Sequence, residues 1–103
     1  MMDFSRITGF DWDDGNTRKN DKHAVSMAEA EQVFFNAPLL VLHDVRHSQQ
    51  EIRFHALGRT HTGRLLHISF TLRDAQTKIR VISARPMHRK ERAIYEKTSR
   101  QSS

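Results

Sequence analysis

The stretch "RLLHISFTLRDAQTKIRVISAR", residues 64–85, decides the fold because its side chains alternate between apolar and polar. A period of two is typical of a β-strand with one face in the core and the other toward solvent. The polar positions of its first half are His67, Ser69, Thr71 and Arg73. Residues 74–77 then predict a short turn, so we expect two antiparallel strands, at 64–73 and 78–85.

Three upstream segments are predicted to extend this sheet. Residues 39–45 and 51–60 also favour strands, and the polar residues 46–50 between them predict a turn. Short turns between successive strands favour an antiparallel meander over crossover units. A further short strand is expected at residues 9–13.

Two helices are predicted before the main strands. The first is polar, follows the capping residues 13–16 and ends near residue 22. The second begins at a capping box formed by Ser26 and Glu29 and ends near residue 36. Its buried stripe is expected to comprise Met27, Ala30, Val33 and Phe34.

One helix is predicted after the strands. Pro86 suits its first turn, Met87, Ile94 and Tyr95 share a face, and residues 97–103 are expected to fray. Because helices and strands do not alternate, we expect one α+β domain spanning residues 1–103. In it, two N-terminal helices pack on one face of an antiparallel sheet and the C-terminal helix lies at the sheet edge, so the other face meets solvent or a ligand.

The composition limits the class of protein. A chain of 103 residues suits one domain, and 37% hydrophobic with 28% charged residues indicates a folded, water-soluble protein. The absence of cysteine excludes disulfides and thiolate metal sites. The apolar runs are too short to span a bilayer and the first residues lack a secretory pattern, so we expect a cytoplasmic protein.

Charge is distributed unevenly along the chain. Residues 1–52 contain five Lys or Arg and nine Asp or Glu, a net charge of −4, whereas residues 53–103 contain twelve and three, a net charge of +9. Segregated positive charge attracts polyanions, so nucleic acid is the leading partner, ahead of an acidic protein or an anionic membrane. Single-stranded RNA fits better than duplex DNA, because an open sheet can present side chains to unstacked bases.

The predicted polar face is the candidate RNA-binding and catalytic surface. Arginines fork onto phosphate oxygens, and imidazoles stack on bases or move protons. RNA cleavage through the 2′-hydroxyl needs a base, a cation and an acid, and it needs no metal. The candidates for these roles are His23, Glu51, Arg53, His55, Arg64, His67, Arg80, Arg85 and Tyr95, with Arg73, Arg89 and Arg92 as further phosphate contacts.

Each candidate also has a structural interpretation. A histidine on a sheet face is more often a solvated strand residue than a catalyst. Arg64 or Arg85 can instead stabilise the fold by pairing with Glu51, Glu91 or Asp74. The histidine clusters at 43–47 and 61–67 lack an established ligand spacing, so neither a metal nor another cofactor is expected.

Several linked motifs give the chain a specific resemblance. They are "FDWD" at 10–13, "KH", "VS" and "EA" between 22 and 30, the pair Glu51 and Arg53, "GRLL" at 63–66, "FTLR" at 70–73, and "IRVISAR" followed by "ERAIYE". Over residues 10–96 the chain resembles the BrnT toxins, the ribonuclease halves of bacterial type II toxin-antitoxin pairs, which have a RelE-like fold. The resemblance implies a toxin that cuts RNA to arrest translation and is neutralised by a cognate, DNA-binding, BrnA-like antitoxin.

The resemblance also implies site residues. Recurrent polar positions of the family match Lys22, His23, Glu51, Arg53, Arg64, Arg73, Arg80 and Arg85, and RelE-type enzymes use a tyrosine near the C terminus, where Tyr95 lies. Operator DNA is then contacted only through the antitoxin. The chain has Ala24 where the family usually has glycine, and if this position has a positive φ the alanine costs about 1 kcal/mol.

Two other functions are consistent with the sequence. One is a non-catalytic member of the family that retains antitoxin binding and acts as a corepressor, and the other is a plain RNA-binding module. Cleavage of RNA in EDTA separates an enzyme from both, because the alternatives bind without cutting.

Overall fold

The computed structural model describes residues 4–12, 23–44 and 52–101, with residues 99–101 described in the backbone only. These residues form a mixed α+β structure with one five-stranded sheet. In chain order the elements are a 3-10 helix Phe4–Arg6, β1 Gly9–Asp11, α1 Met27–Val33, β2 Leu40–Asp44, β3 Arg53–Arg59, β4 Leu65–Arg73, β5 Lys78–Pro86 and α2 Arg89–Gln101. Neither α-helix of the described ranges is long and apolar enough to cross a membrane.

The sheet has the strand order β1-β5-β4-β3-β2. The predicted meander is confirmed, because β2 to β5 pair antiparallel in sequence. The expectation of a wholly antiparallel sheet is wrong, because β1 pairs parallel to β5. Alternation of side chains identifies a strand and its buried face but carries no information about which strand it joins, so this pairing was not predictable from the local pattern.

One face of the sheet is the core. Leu66, Ile68 and Phe70 of β4 have no exposed surface, as the alternation predicts. Helix α1 packs on this face, and its Ser26–Glu29 capping box is present as predicted. Within the predicted stripe, Ala30 and Val33 are buried and the ring of Phe34 meets that of Phe70 edge-on at 5.1 Å, whereas Met27 is 39% exposed.

Helix α2 lies on the opposite face of the sheet from α1. Leu57 of β3 points away from α1 and forms a buried cluster with Met87 and Tyr95, against which Leu40 and Leu65 also pack. Helix α2 therefore covers one end of the polar face instead of lying at the sheet edge, because that end carries leucines. The prediction that Pro86 lies in the first turn of this helix is wrong, because Pro86 is the last residue of β5 and the helix begins at Arg89. Ile94 does not share the buried face of Met87 and Tyr95 as predicted, because it is 50% exposed.

Two predicted segments lie outside the described residues. These are the first helix, near 14–22, and the turn at 46–50, so α1 is the one N-terminal α-helix among the described residues. At the other end, α2 includes residues 97–101, which were expected to fray.

Candidate nucleic-acid interface

One row of paired residues crosses all five strands on the polar face. The register pairs Asp44 with Arg53, Arg53 with Thr71, Thr71 with Arg80 and Arg80 with Asp11. Paired residues of neighbouring strands point to the same face, and strands lie about 4.8 Å apart, so the Cα atoms of the two arginines are about 10 Å apart. We call these five residues the arginine row. An acid stands at each end of it and a small hydroxyl stands at its centre.

Hydrogen bonds orient two side chains of the arginine row, those of Arg80 and Thr71. Nη1 of Arg80 donates to Oδ2 of Asp11 at 3.2 Å. The hydroxyl of Thr71, a residue only 2% exposed, donates to the carbonyl oxygen of Ile52 at 2.6 Å. Arg80 keeps 28% of its side-chain surface exposed, so the guanidinium is oriented by a carboxylate and still reaches solvent. A site of this kind holds charge in place before a ligand arrives.

A second row lies next to it and contains His55. The register pairs His55 with Leu42 on one side and with Ser69 on the other, and Ser69 with Ser83. Nε2 of His55 lies 3.0 Å from Oδ2 of Asp44, and its Nδ1 lies 3.2 Å from the hydroxyl oxygen of Ser69. The imidazole is 31% exposed, so it is accessible beside the arginine row.

His67, Arg85 and Glu91 form a more buried cluster under the first turn of α2. Arg85 donates two hydrogen bonds to the Glu91 carboxylate, at 2.8 and 2.9 Å, and these bonds lower the pKa of Glu91 to about 2. Burial, followed by the charge of Arg85, lowers the pKa of His67 to about 4. His67 is therefore neutral at pH 7, and with 8% exposure it is not a surface for RNA bases.

Some of the arginines predicted to bind RNA form ion pairs within the protein. The structural alternative holds for Arg85, which binds Glu91, and Arg64 is also paired, although its partner is Glu29. Arg53 and Arg73 are half-buried on the polar face, and Arg89 and Arg92 are exposed at the start of α2. The face is therefore a network of oriented charges with exposed cations at its border.

Tyr95 does not belong to this face as a reactive group. It is 3% exposed, and its hydroxyl donates to the carbonyl oxygen of Pro38 at 2.8 Å. Burial raises the pKa of Tyr95 above its usual value of 10. In this structure the ring anchors α2 to the sheet and its hydroxyl is already bonded, so a catalytic or stacking role of Tyr95 stays a prediction that requires α2 to move.

Arg64 and His23 lie with α1, across the sheet from His55. Nη1 of Arg64 donates to the carbonyl oxygen of Ala24 at 2.7 Å and to the Glu29 carboxylate at 3.2 Å, and Nη2 donates to the carbonyl oxygen of His23 at 3.2 Å. The arginine thus fastens the turn before α1 to the capping box. The structure does not bring these two predicted site residues together with the arginine row.

The turn held by Arg64 contains a strained residue. Ala24 has φ 54°, in the left-handed region where glycine is favoured. We expect Ala24→Gly to raise the free energy of unfolding by about 1 kcal/mol, because the Cβ clash is removed. Urea unfolding measures the change. Ala28→Gly, on the exposed side of α1, is the matched control and should lower stability by about 1 kcal/mol. Equal losses in both variants would contradict the prediction.

The remaining predicted site residues are divided by the structure. Lys22 and Glu51 lie outside the described residues. Strand register brings Arg53, His55, His67, Arg73, Arg80 and Arg85 onto one face. The sequence predicted no role in RNA binding for Asp11, which belongs to the "FDWD" motif, or for Asp44, which was considered only as a metal ligand, although each is an acidic residue at the end of a short strand. Acidic residues at strand ends, matched with arginines on strands that could pair with them, were the sequence feature that could have indicated these two residues.

Arginines and histidines ordered in rows on one face of an α+β sheet define a protein suited to binding an anionic polymer. Residues 12–91 match the family described as ribonuclease toxin, BrnT, of type II toxin-antitoxin system. The match covers most of the chain, so the chain belongs to this family and the resemblance seen in the sequence is confirmed. A search of curated proteins found no match. Membership makes the protein a ribonuclease toxin of a type II pair, a class that implies an antitoxin partner.

Proposed function

We propose that this toxin is a metal-independent endoribonuclease that cleaves RNA to arrest translation in the cytoplasm, with the arginine row as its phosphate-binding site. The observation that carries the proposal is the alignment of Arg53 and Arg80 on either side of the buried Thr71. Two guanidiniums on one face can share a phosphate or hold neighbouring phosphates, each through forked hydrogen bonds. A RelE-like mode of action fits this use of arginines.

The chemistry uses the 2′-hydroxyl of RNA as its nucleophile. A base removes the hydroxyl proton, the 2′-oxygen attacks phosphorus, and the 5′-oxygen leaves, giving a cyclic phosphate and a 5′-hydroxyl end. Guanidiniums placed beforehand stabilise the charge that develops on phosphorus oxygens. Because the nucleophile belongs to the substrate, no metal-bound water is needed. His55 is the proposed base, since it is accessible and adjoins the arginine row.

Other predicted residues have secondary roles in this proposal. Arg73, Arg89 and Arg92 continue the positive charge from the arginine row to the border of the face. Arg85 orients α2 through Glu91 and adds to the field. Lys22 and Glu51 remain proposed site residues through the family resemblance.

We further propose that the antitoxin is a BrnA-like, DNA-binding protein that silences the toxin by covering this face. A partner rich in acidic or apolar side chains suits the exposed arginines of α2 and the exposed Leu42, which pairs with His55 on the polar face. Operator DNA is bound through the antitoxin and not by the toxin directly.

Cleavage of purified RNA in excess EDTA tests the enzymatic proposal. We expect wild-type protein to cleave, and Arg53→Ala and Arg80→Ala each to lower the cleavage rate by about a hundredfold, because each removes a charge at the phosphate. Arg6→Ala is the matched control, since Arg6 is exposed in the 3-10 helix outside the sheet, and it should cleave normally.

The same experiment distinguishes the alternatives. If the wild-type protein bound RNA without cleaving it, the proposed enzymatic activity would be refuted. A non-catalytic corepressor or an RNA-binding module would then be favoured. Cleavage that requires added divalent metal would refute metal independence alone. Each phosphate contact to a single strand should also steepen the log-log dependence of affinity on salt by about 0.7, so the arginine variants should show a shallower slope than wild type.

A further inference from the structure

Asp44, His55 and Ser69 form a continuous hydrogen-bonded chain across three strands. Oδ2 of Asp44 on β2 lies 3.0 Å from Nε2 of His55 on β3, and Nδ1 of the same ring lies 3.2 Å from the hydroxyl oxygen of Ser69 on β4. Asp44 is 9% exposed, so its carboxylate meets the imidazole largely away from water. The acid is thus at once an end of the arginine row and a partner of the neighbouring histidine.

The chemistry of these groups fixes where the imidazole proton lies. A carboxylate only accepts hydrogen bonds, so Nε2 must carry the proton that it donates to Asp44. In a neutral ring the other nitrogen then has no proton and accepts, so the Ser69 hydroxyl donates to Nδ1. The basic atom of His55 is therefore Nδ1, and it is reached through Ser69.

We infer that Asp44 is a positioning residue that keeps the His55 proton on Nε2, and that the Ser69 hydroxyl carries the substrate proton to Nδ1. The inference rests on the proposed function. From the sequence alone, Asp44 was considered only as a metal ligand and Ser69 was predicted only as a polar residue of the face. The arrangement follows the logic of a histidine that is oriented by an acid on one side and works on a hydroxyl on the other.

The proton transfers balance as follows. The 2′-hydroxyl gives its proton to the Ser69 oxygen while the Ser69 proton passes to Nδ1 of His55. The 2′-oxygen bonds to phosphorus as the bond to the 5′-oxygen breaks, and the leaving oxygen takes a proton from water. His55 then returns its extra proton to solvent, so Ser69 and His55 end as they began.

Nuclear magnetic resonance tests the positioning role without any catalysis. Long-range proton-nitrogen spectra at about pH 8.5, above the ordinary titration range of imidazole, report which ring nitrogen carries the proton. We expect one tautomer for His55 in the wild type, with the proton on Nε2, and a mixture in Asp44→Asn, because an amide both donates and accepts. Asp74→Asn, in the exposed β4–β5 turn, is the matched control and should leave His55 unchanged.

Kinetics with saturating RNA test the proton path. We expect Asp44→Asn and Ser69→Ala each to lower kcat by about tenfold or more with little change in KM. In a His55→Ala background, Asp44→Asn should have no further effect on kcat, because it acts through the ring. Ser5→Ala, in the exposed 3-10 helix outside the sheet, is the control and should cleave normally.

The outcomes separate this inference from the proposed function. No cleavage by the wild type would overturn the proposed function and the catalytic part of the inference together, while a tautomer mixture in Asp44→Asn would still support the positioning role. Normal cleavage by a folded Asp44→Asn protein, in the presence of wild-type activity, would overturn the inference alone. An additive loss in the His55→Ala background would assign Asp44 a purely structural role.

Discussion

Gly58→Val is expected to lower the free energy of unfolding by about 3 kcal/mol. Gly58 lies in β3 beneath α1, and a β-carbon placed on it would be 2.6 Å from Cγ1 of Val33 and 3.3 Å from the Val33 carbonyl oxygen. Carbon atoms in contact lie about 3.5–4.0 Å apart, so the helix would have to move. Val33 is fully buried and β-branched, with one strongly preferred rotamer in a helix, and it therefore cannot turn aside.

Gly9→Val in β1 is the matched control for this prediction. A β-carbon on Gly9 would meet nothing within 4 Å, so valine should fit there and its β-propensity should leave stability unchanged or slightly higher. Urea unfolding followed by circular dichroism gives both free energies. Equal stability of Gly58→Val and Gly9→Val would contradict the prediction, because it would mean that α1 does not pack closely on β3 at Gly58.

Gly58 also illustrates how far the sequence predicts this fold. Alternation along residues 64–73 fixed which side chains of β4 face the core, because burial follows a period of two. It did not reveal which helix approaches β3 at Gly58, since that distance joins two elements far apart in the chain. The same limit applies to the leucines under α2, which the local pattern could not assign to a helix on the polar face.

For the candidate site, the sequence predicted the residue types and the face but not the pairing. Arg53, His55 and Arg80 were placed correctly on one face by alternation, and register put them in neighbouring rows. Asp11 meets Arg80 across 69 positions of sequence, and that contact depends on a parallel pairing that no local signal encodes. Which acidic residue orients each arginine is therefore known only once the strand order is known.

Glu91→Ala is expected to lower the free energy of unfolding by about 3 kcal/mol at pH 7. Glu91 accepts two hydrogen bonds from Arg85, and its Oε1 also accepts from the backbone N–H of His88 at 2.8 Å, at the start of α2. Alanine removes these bonds and leaves Arg85, with 23% of its side chain exposed, beside the buried His67 without its carboxylate partner. Glu96→Ala, exposed on the same helix, should change stability by less than about 0.5 kcal/mol.

The cost of Glu91→Ala should depend on pH with a definite sign. The native pKa of Glu91 is about 2 against a usual 4.5, so its contribution is present above pH 4.5 and disappears as pH falls toward 2. His67, with its native pKa lowered from 6.5 to about 4, lowers the stability of both proteins as pH falls from 6.5 toward 4, because the unfolded chain takes up this proton first. The stability difference between wild type and Glu91→Ala should thus stay nearly constant from pH 7 to 5 and narrow below 4.5, as measured by urea unfolding at each pH. A difference that widened as pH fell from 6.5 to 5 would mean that Glu91 stabilises the fold chiefly by pairing with a protonated His67, and the bidentate bond to Arg85 would not be the source of the effect.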